Sequence, residues 1–162
     1  MKSLLTILFI AIGSIFTQAQ NQNNDYPNIM PSFQFIKLKG DGIYDSKNIT
    51  KNKQTLIGLV SPECIHCLLT LEHLNNNLKR LENINIILVT EYEKDIFIEK
   101  MKEIAPNLLN SNLIEVLQDP NYEFVDKFKP VSLPTFYLYN KNNELEIVTK
   151  GSVEINQLFQ YL

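Results

Sequence analysis

The chain has 162 residues, with 15 Lys or Arg against 18 Asp or Glu, a formal net charge of −3, 44% hydrophobic residues and 2 cysteines. It is too apolar and too weakly charged for a disordered chain, and two cysteines make neither the disulfide lattice of a small secreted scaffold nor a four-cysteine zinc site. The acidic balance argues against nucleic acid or an anionic membrane surface as the main partner, and the length suits one α/β domain with a real core.

Lys2 is followed by an apolar run from Leu4 to Phe16, and Thr17-Gln18-Ala19 puts small residues at the −3 and −1 positions of a cleavage site. A charged start, a short apolar stretch and a small-residue end make a secretory signal peptide, and roughly 13 apolar residues fall short of the ~20 that span a bilayer. The expectation is a signal peptide over residues 1–19, with an uncleaved membrane anchor or a buried element as alternatives. It implies an exported protein, the periplasm being the compartment that fits best, and no integral membrane protein after cleavage. Outside the cytosol thiols are usually paired.

Residues 20–30 are polar and are expected to form a flexible leader, with a single domain over 31–162. Ser32 to Lys39 alternates apolar and polar residues and predicts a strand, Gly40-Asp41-Gly42 a turn, and Asp45 to Lys53 a loop with room for one helical turn. Thr55 to Val60 is a continuous apolar run, as in a central strand buried on both faces. Ser61-Pro62 stops it. The period then becomes helical, with Cys67, Leu71, Leu74, Leu78 and Leu81 in one stripe and Asn75, Asn76, Lys79 and Arg80 outside. Further on, Ile84 to Thr90 predicts a strand, Lys94 to Ile104 a helix ended by Pro106, and Leu113 to Leu117 a short strand. Asp119-Pro120 reads as the N-cap and first position of a helix reaching Phe128. Thr135 to Tyr139 and Glu144 to Thr149 predict strands joined by an Asn-rich hairpin, and Ser152 caps a closing helix. The strand–helix–strand units imply parallel crossovers and the late hairpin an antiparallel edge.

The two cysteines, Cys64 and Cys67, lie three apart at the junction of the buried strand and the amphipathic helix. That spacing in a first helical turn puts both residues on one side at roughly 5–6 Å, within disulfide reach. The helix N-terminus offers unpaired N–H groups and positive partial charge, which stabilise a thiolate, the nucleophile of disulfide exchange. Cys64 is therefore the expected attacking sulfur and Cys67, deeper in the stripe, the resolving one. A structural disulfide and a metal site, with Cu(I) held by both cysteines and His66 or His73, are the competing readings. His66, if protonated, favours a Cys64 thiolate, and Glu63 opposes it; both are also readable as solvated surface groups. His73 reads as structural or exposed.

Ser61-Pro62-Glu63-Cys64-Ile65-His66-Cys67 behind a buried strand resembles the thioredoxin superfamily, above all its exported TlpA/ResA-like and redoxin branch. Val131-Ser132-Leu133-Pro134-Thr135-Phe136, leading into a strand and hairpin, resembles the segment that carries the cis-proline facing the cysteine pair. The resemblance implies a thioredoxin fold: an α/β domain with a central mixed sheet flanked by helices, an N-terminal β-hairpin extension and a strand–helix insertion over roughly 84–128. It also implies a cis bond before Pro134 and a Leu133 backbone that pairs with an extended substrate segment. The implied activity is thiol–disulfide exchange with protein dithiols or disulfides, served by an upstream redox partner and needing no cofactor or metal. The sequence departs from the pattern at several places. Val60 replaces a common aromatic, Ile65 a frequent proline, and Gly58 stands where cytosolic thioredoxins bury an acid that helps deprotonate the resolving cysteine. Glu91, at the end of a predicted strand, is either a substitute for that acid or a surface carboxylate. A non-enzymatic Cu(I)-binding module and a peroxide-reducing redoxin, which would need an arginine partner where only Arg80 exists, are the alternative functions.

Overall fold

The computed structural model describes residues 25–162. The signal peptide expected over 1–19 and the first part of the leader lie outside them. Twelve principal elements follow in chain order: β1 Gln34–Lys37, β2 Ile43–Asp45, β3 Thr55–Leu59, α1 Ile65–Asn76, β4 Asn85–Thr90, α2 Lys94–Ile104, α3 Pro106–Asn110, β5 Ile114–Gln118, α4 Glu123–Phe128, β6 Thr135–Tyr139, β7 Leu145–Lys150 and α5 Gly151–Leu158. The strands make one mixed sheet in the order β2-β1-β5-β4-β3-β6-β7. β3, β4 and β5 run parallel, whereas β1 and β6 join them antiparallel and β2 and β7 close the two edges. Among the described residues no helix is long and apolar enough to cross a membrane.

All five residues of β3 are buried, because helices or aromatic side chains cover both faces of the sheet centre. Leu56, Leu88, Val116 and Leu138 point to one face and pack with the apolar sides of α1, α2, α3 and α5. Ile57, Val89, Leu117 and Tyr137 point to the other, against Phe124 and Phe128 of α4 and Phe33 and Phe35 of the N-terminal hairpin. The Phe124 and Phe128 rings stack at 4.3 Å between centroids. The tight turn between β1 and β2 uses positive φ at Gly40 and Gly42.

Several boundaries differ from those the sequence predicts. α1 ends at Asn76, and a separate 3-10 turn, Leu78–Leu81, carries the rest of the stripe inward. Asn75 is buried instead of outward, because its carboxamide oxygen accepts the backbone N–H groups of Asn107 (2.9 Å) and Leu108 (3.0 Å). These are first-turn donors of α3, which Pro106 opens rather than merely ending α2. Asp119 does not start α4 directly; its buried carboxylate reaches forward five residues to accept Phe124 N–H at 2.6 Å. α5 begins at Gly151, one residue before the expected cap at Ser152. The described end of the leader, residues 25–30, is pinned to the sheet: Met30 N–H donates to the Asn143 carbonyl and Leu145 N–H to that of Asn28, and Tyr26 packs edge-on against Tyr137.

Candidate active site

β3 delivers the chain to the carboxyl end of the sheet, where Val60 N–H still bonds to the Val89 carbonyl. Ser61 and Pro62 are buried there, and the chain turns so that Leu68 N–H donates to the Cys64 carbonyl, opening α1. Cys64 is thus the N-cap residue, with extended backbone, and its Sγ accepts the backbone N–H of Cys67 at 3.4 Å. In this position a sulfur meets the unpaired donors and positive end of a twelve-residue helix. The Cys64 thiol in turn donates to the Leu133 carbonyl at 3.6 Å.

Cys67, one turn on, is fully buried. Burial, and next its hydrogen bond with Cys64, push its thiol well above the usual range, so it holds its proton at neutral pH. Both cysteines are free thiols in this structure. The facing segment is placed by the β3–β6 ladder, which sets Thr135 opposite Leu59. Its bend is braced by Thr135 Oγ1 donating to the Ser132 carbonyl at 2.6 Å and by Gly151 N–H donating to the Pro134 carbonyl at 2.9 Å. The Leu133–Pro134 peptide bond is cis.

Cys64, Cys67, Leu133 and Pro134 are therefore together. The other residues singled out in the sequence lie around them with partners of their own. His66 is exposed, with Nδ1 3.4 Å from Ser152 Oγ on α5. Glu63 is exposed, and one carboxylate oxygen accepts the Tyr92 hydroxyl at 2.8 Å. His73 packs its ring on Phe159 at 5.5 Å. Glu91 is partly buried, and burial followed by the neighbouring Asp119 raises its carboxyl above the usual range. Arg80 donates to the Phe159 carbonyl at 3.1 Å and covers the Phe159 ring, so the arginine that a peroxide-reducing site would need fastens α5 instead. Among the described residues no three His, Cys, Asp or Glu side chains gather as a metal-binding group.

The sequence does not single out Tyr92, and although it marks Ser152 as a cap and Phe136 as part of the Pro134 segment, it shows neither the contact of Ser152 with His66 nor that of Phe136 with Gly58. One signal was available for Tyr92: it follows the carboxyl end of the strand beside β3, the same sheet edge that carries Cys64. Phe136 explains Gly58. The two residues are paired across β3 and β6, and a Cβ on residue 58 would overlap the Phe136 ring.

No protein-family model and no curated protein matches this sequence. Solved structures do match. StoA from Bacillus subtilis aligns over 83% of this chain and 98% of its own at 17% identity and a TM-score of 0.61. The C-terminal domain of a putative thiol-disulfide oxidoreductase from Bacteroides thetaiotaomicron aligns over 83% and 93% at 16% identity and a TM-score of 0.65. A secreted Mycobacterium tuberculosis disulfide oxidoreductase aligns over 80% and 96% at 14% identity and a TM-score of 0.64. A thioredoxin-like protein from Aeropyrum pernix shares the same architecture, with a TM-score of 0.65. Across nearly the whole length of these neighbours, the chain has the thioredoxin-like α/β fold that the resemblance implied.

Proposed function

We propose that this protein is an exported thiol–disulfide oxidoreductase that exchanges disulfides with partner proteins through Cys64 and Cys67. One observation carries the reading: Cys64 Sγ sits at the N-cap of α1, accepting the Cys67 backbone N–H, with the Cys67 thiol buried behind it. The first sulfur is partly exposed and sits at the N-terminus of a helix; the second is withheld from solvent and keeps its proton. The fold's solved neighbours, several described as thiol-disulfide oxidoreductases, support the same chemistry.

In the reductive direction the Cys64 thiolate attacks one sulfur of a substrate disulfide. The substrate's other sulfur leaves with the bonding electrons and takes up a proton. Cys67 then loses its proton and attacks Cys64 Sγ, and the remaining substrate sulfur departs as a thiol. Two electrons and two protons pass to the substrate, and the protein retains a Cys64–Cys67 disulfide. Run backwards, the same steps oxidise a substrate dithiol, and an upstream redox partner resets the pair. The substrate segment is read as lying along Leu133 and Pro134, whose backbone closes the other side of the sulfur. Ile65, Val131 and Leu133 are exposed apolar side chains on this rim and suit a protein surface. Export rests on residues 1–19, read as a cleaved signal with residues 31–162 as the functional domain, and fits the secreted M. tuberculosis neighbour.

The test is cleavage of a disulfide-bonded protein by the reduced domain. Cys64→Ser is expected to abolish it, and Cys67→Ser to accumulate a one-to-one mixed disulfide that dithiothreitol releases. Full exchange activity in Cys64→Ser would end this reading.

A further inference from the structure

The Tyr92 hydroxyl hydrogen-bonds to the one carboxylate that adjoins the nucleophile in sequence. It donates to Glu63 Oε2 at 2.8 Å. The pair spans two elements: Glu63 sits in the turn before α1, with its N–H bonded to Ser61 Oγ at 3.2 Å, whereas Tyr92 follows β4. The Tyr92 ring is packed against the apolar cluster that also takes in Cys64 and Cys67, so the hydroxyl is aimed by its ring. The Tyr92 backbone is held in turn by its N–H on Thr90 Oγ1 at 3.4 Å.

We propose that Tyr92 is a positioning residue for the redox pair: by donating to Glu63 it ties down and partly neutralises the carboxylate that would otherwise oppose a thiolate on Cys64. A carboxylate near a sulfur disfavours its ionised form, and a hydrogen bond to that carboxylate draws off part of its charge. The direction of the proton is clear: the bond to Glu63, before any other cause, raises the Tyr92 phenol above its ordinary value, so the phenol stays protonated and remains the donor. The other ionisable groups at this sheet edge include His66 on α1, directed to Ser152, Glu91, whose charge acts on Tyr92 with the same sign as Glu63, and Asp119 beside Glu91, whose carboxylate is taken up by Phe124 N–H. None of these replaces the Tyr92 hydrogen bond. The consequence is a pair kept more oxidising than its acidic neighbour alone would make it, since stabilising the reduced thiolate raises the tendency to accept electrons.

The inference rests on Cys64 being the attacking sulfur, and the experiment separates the two. The reduction potential of the pair is measured by equilibration with glutathione, and the rate of Cys64 alkylation at fixed pH is measured alongside, in the parent domain and in Tyr92→Phe, Glu63→Gln and the double variant. Tyr92→Phe keeps the ring and its packing. It is expected to lower the alkylation rate about threefold and to shift the glutathione equilibrium about threefold towards the Cys64–Cys67 disulfide, which at ~30 mV per tenfold is about 14 mV towards the reducing side. Glu63→Gln is expected to move both the other way. In the Glu63→Gln background, Tyr92→Phe should change neither, because there is no carboxylate left to restrain. An unchanged potential and rate in Tyr92→Phe, or an effect of the same size with and without Glu63, would overturn the proposal. Alkylation of Cys67 ahead of Cys64 in the parent would instead overturn the reading of the site on which it stands.

Discussion

Gly58 and Phe136 face each other across the antiparallel β3–β6 ladder, and the Phe136 ring fills the space into which any side chain at 58 would project. The position at which the resemblance leads one to look for a buried acid is closed by packing. Gly58→Ala is expected to destabilise the domain by about 1–3 kcal/mol through overpacking. Gly58→Asp should cost more, since it buries a carboxylate between Leu88 and Phe136. Denaturant midpoints measure both. An unchanged midpoint for Gly58→Ala would mean that Phe136 yields freely.

That closure bears on the second step of exchange. With no acid at residue 58 to take the Cys67 proton, and with burial holding the thiol protonated, attack on a mixed disulfide depends on a scarce thiolate. Below the thiol's pKa the thiolate fraction grows tenfold per pH unit, so release of substrate from Cys64 is expected to accelerate about tenfold per unit between pH 6 and 9. Stopped-flow decay of a preformed mixed disulfide would show it. A flat profile would point to another base within reach of Cys67.

Alkaline pH should also weaken the fold. Burial, then the nearby Glu115 charge, push the Tyr44 phenol up to about 12. The buried Cys67 thiol is raised as well. In each case the folded state keeps a proton that the unfolded chain gives up at a lower pH. The associated stability is fully present below the unfolded-state value and is lost as pH rises through the folded one. The urea midpoint of the reduced domain is expected to fall steadily from about pH 9 towards 12, and Tyr44→Phe to soften the part above pH 10. A midpoint that holds steady over this range would show that these protons are not retained on folding.

The proposed docking of substrate along Leu133 is open to a comparison of large and small disulfides. Leu133 is 42% exposed beside Cys64, and its carbonyl takes the Cys64 thiol hydrogen bond. Leu133→Asp should slow exchange with a protein disulfide by about tenfold, equivalent to ~1.4 kcal/mol of lost contact. Glutathione disulfide, too small to use the rim, should be affected far less. Equal losses with both would place the effect on Cys64 itself instead of on docking.

What the linear sequence determines here is local and periodic. The apolar run from Thr55 to Val60 marks a doubly covered strand, the three- and four-residue steps from Cys67 mark a helix, and the Cys64–Cys67 spacing at their junction marks the candidate site. These features depend on neighbours in the chain, so the chain displays them. The bond between Asn75 and the first turn of α3 is different: a polar residue on a helix looks outward until another helix end, some thirty residues away, comes to it. The same holds for Asp119, whose cap is set by how far α4 lies from β5, and for Glu63, whose partner Tyr92 arrives from the next parallel strand. Gly58 shows the division most plainly. The resemblance marks the missing acid; only the β3–β6 register reveals that an aromatic ring stands in its place, because which side chains share one layer of a sheet is decided when strands distant in sequence pair.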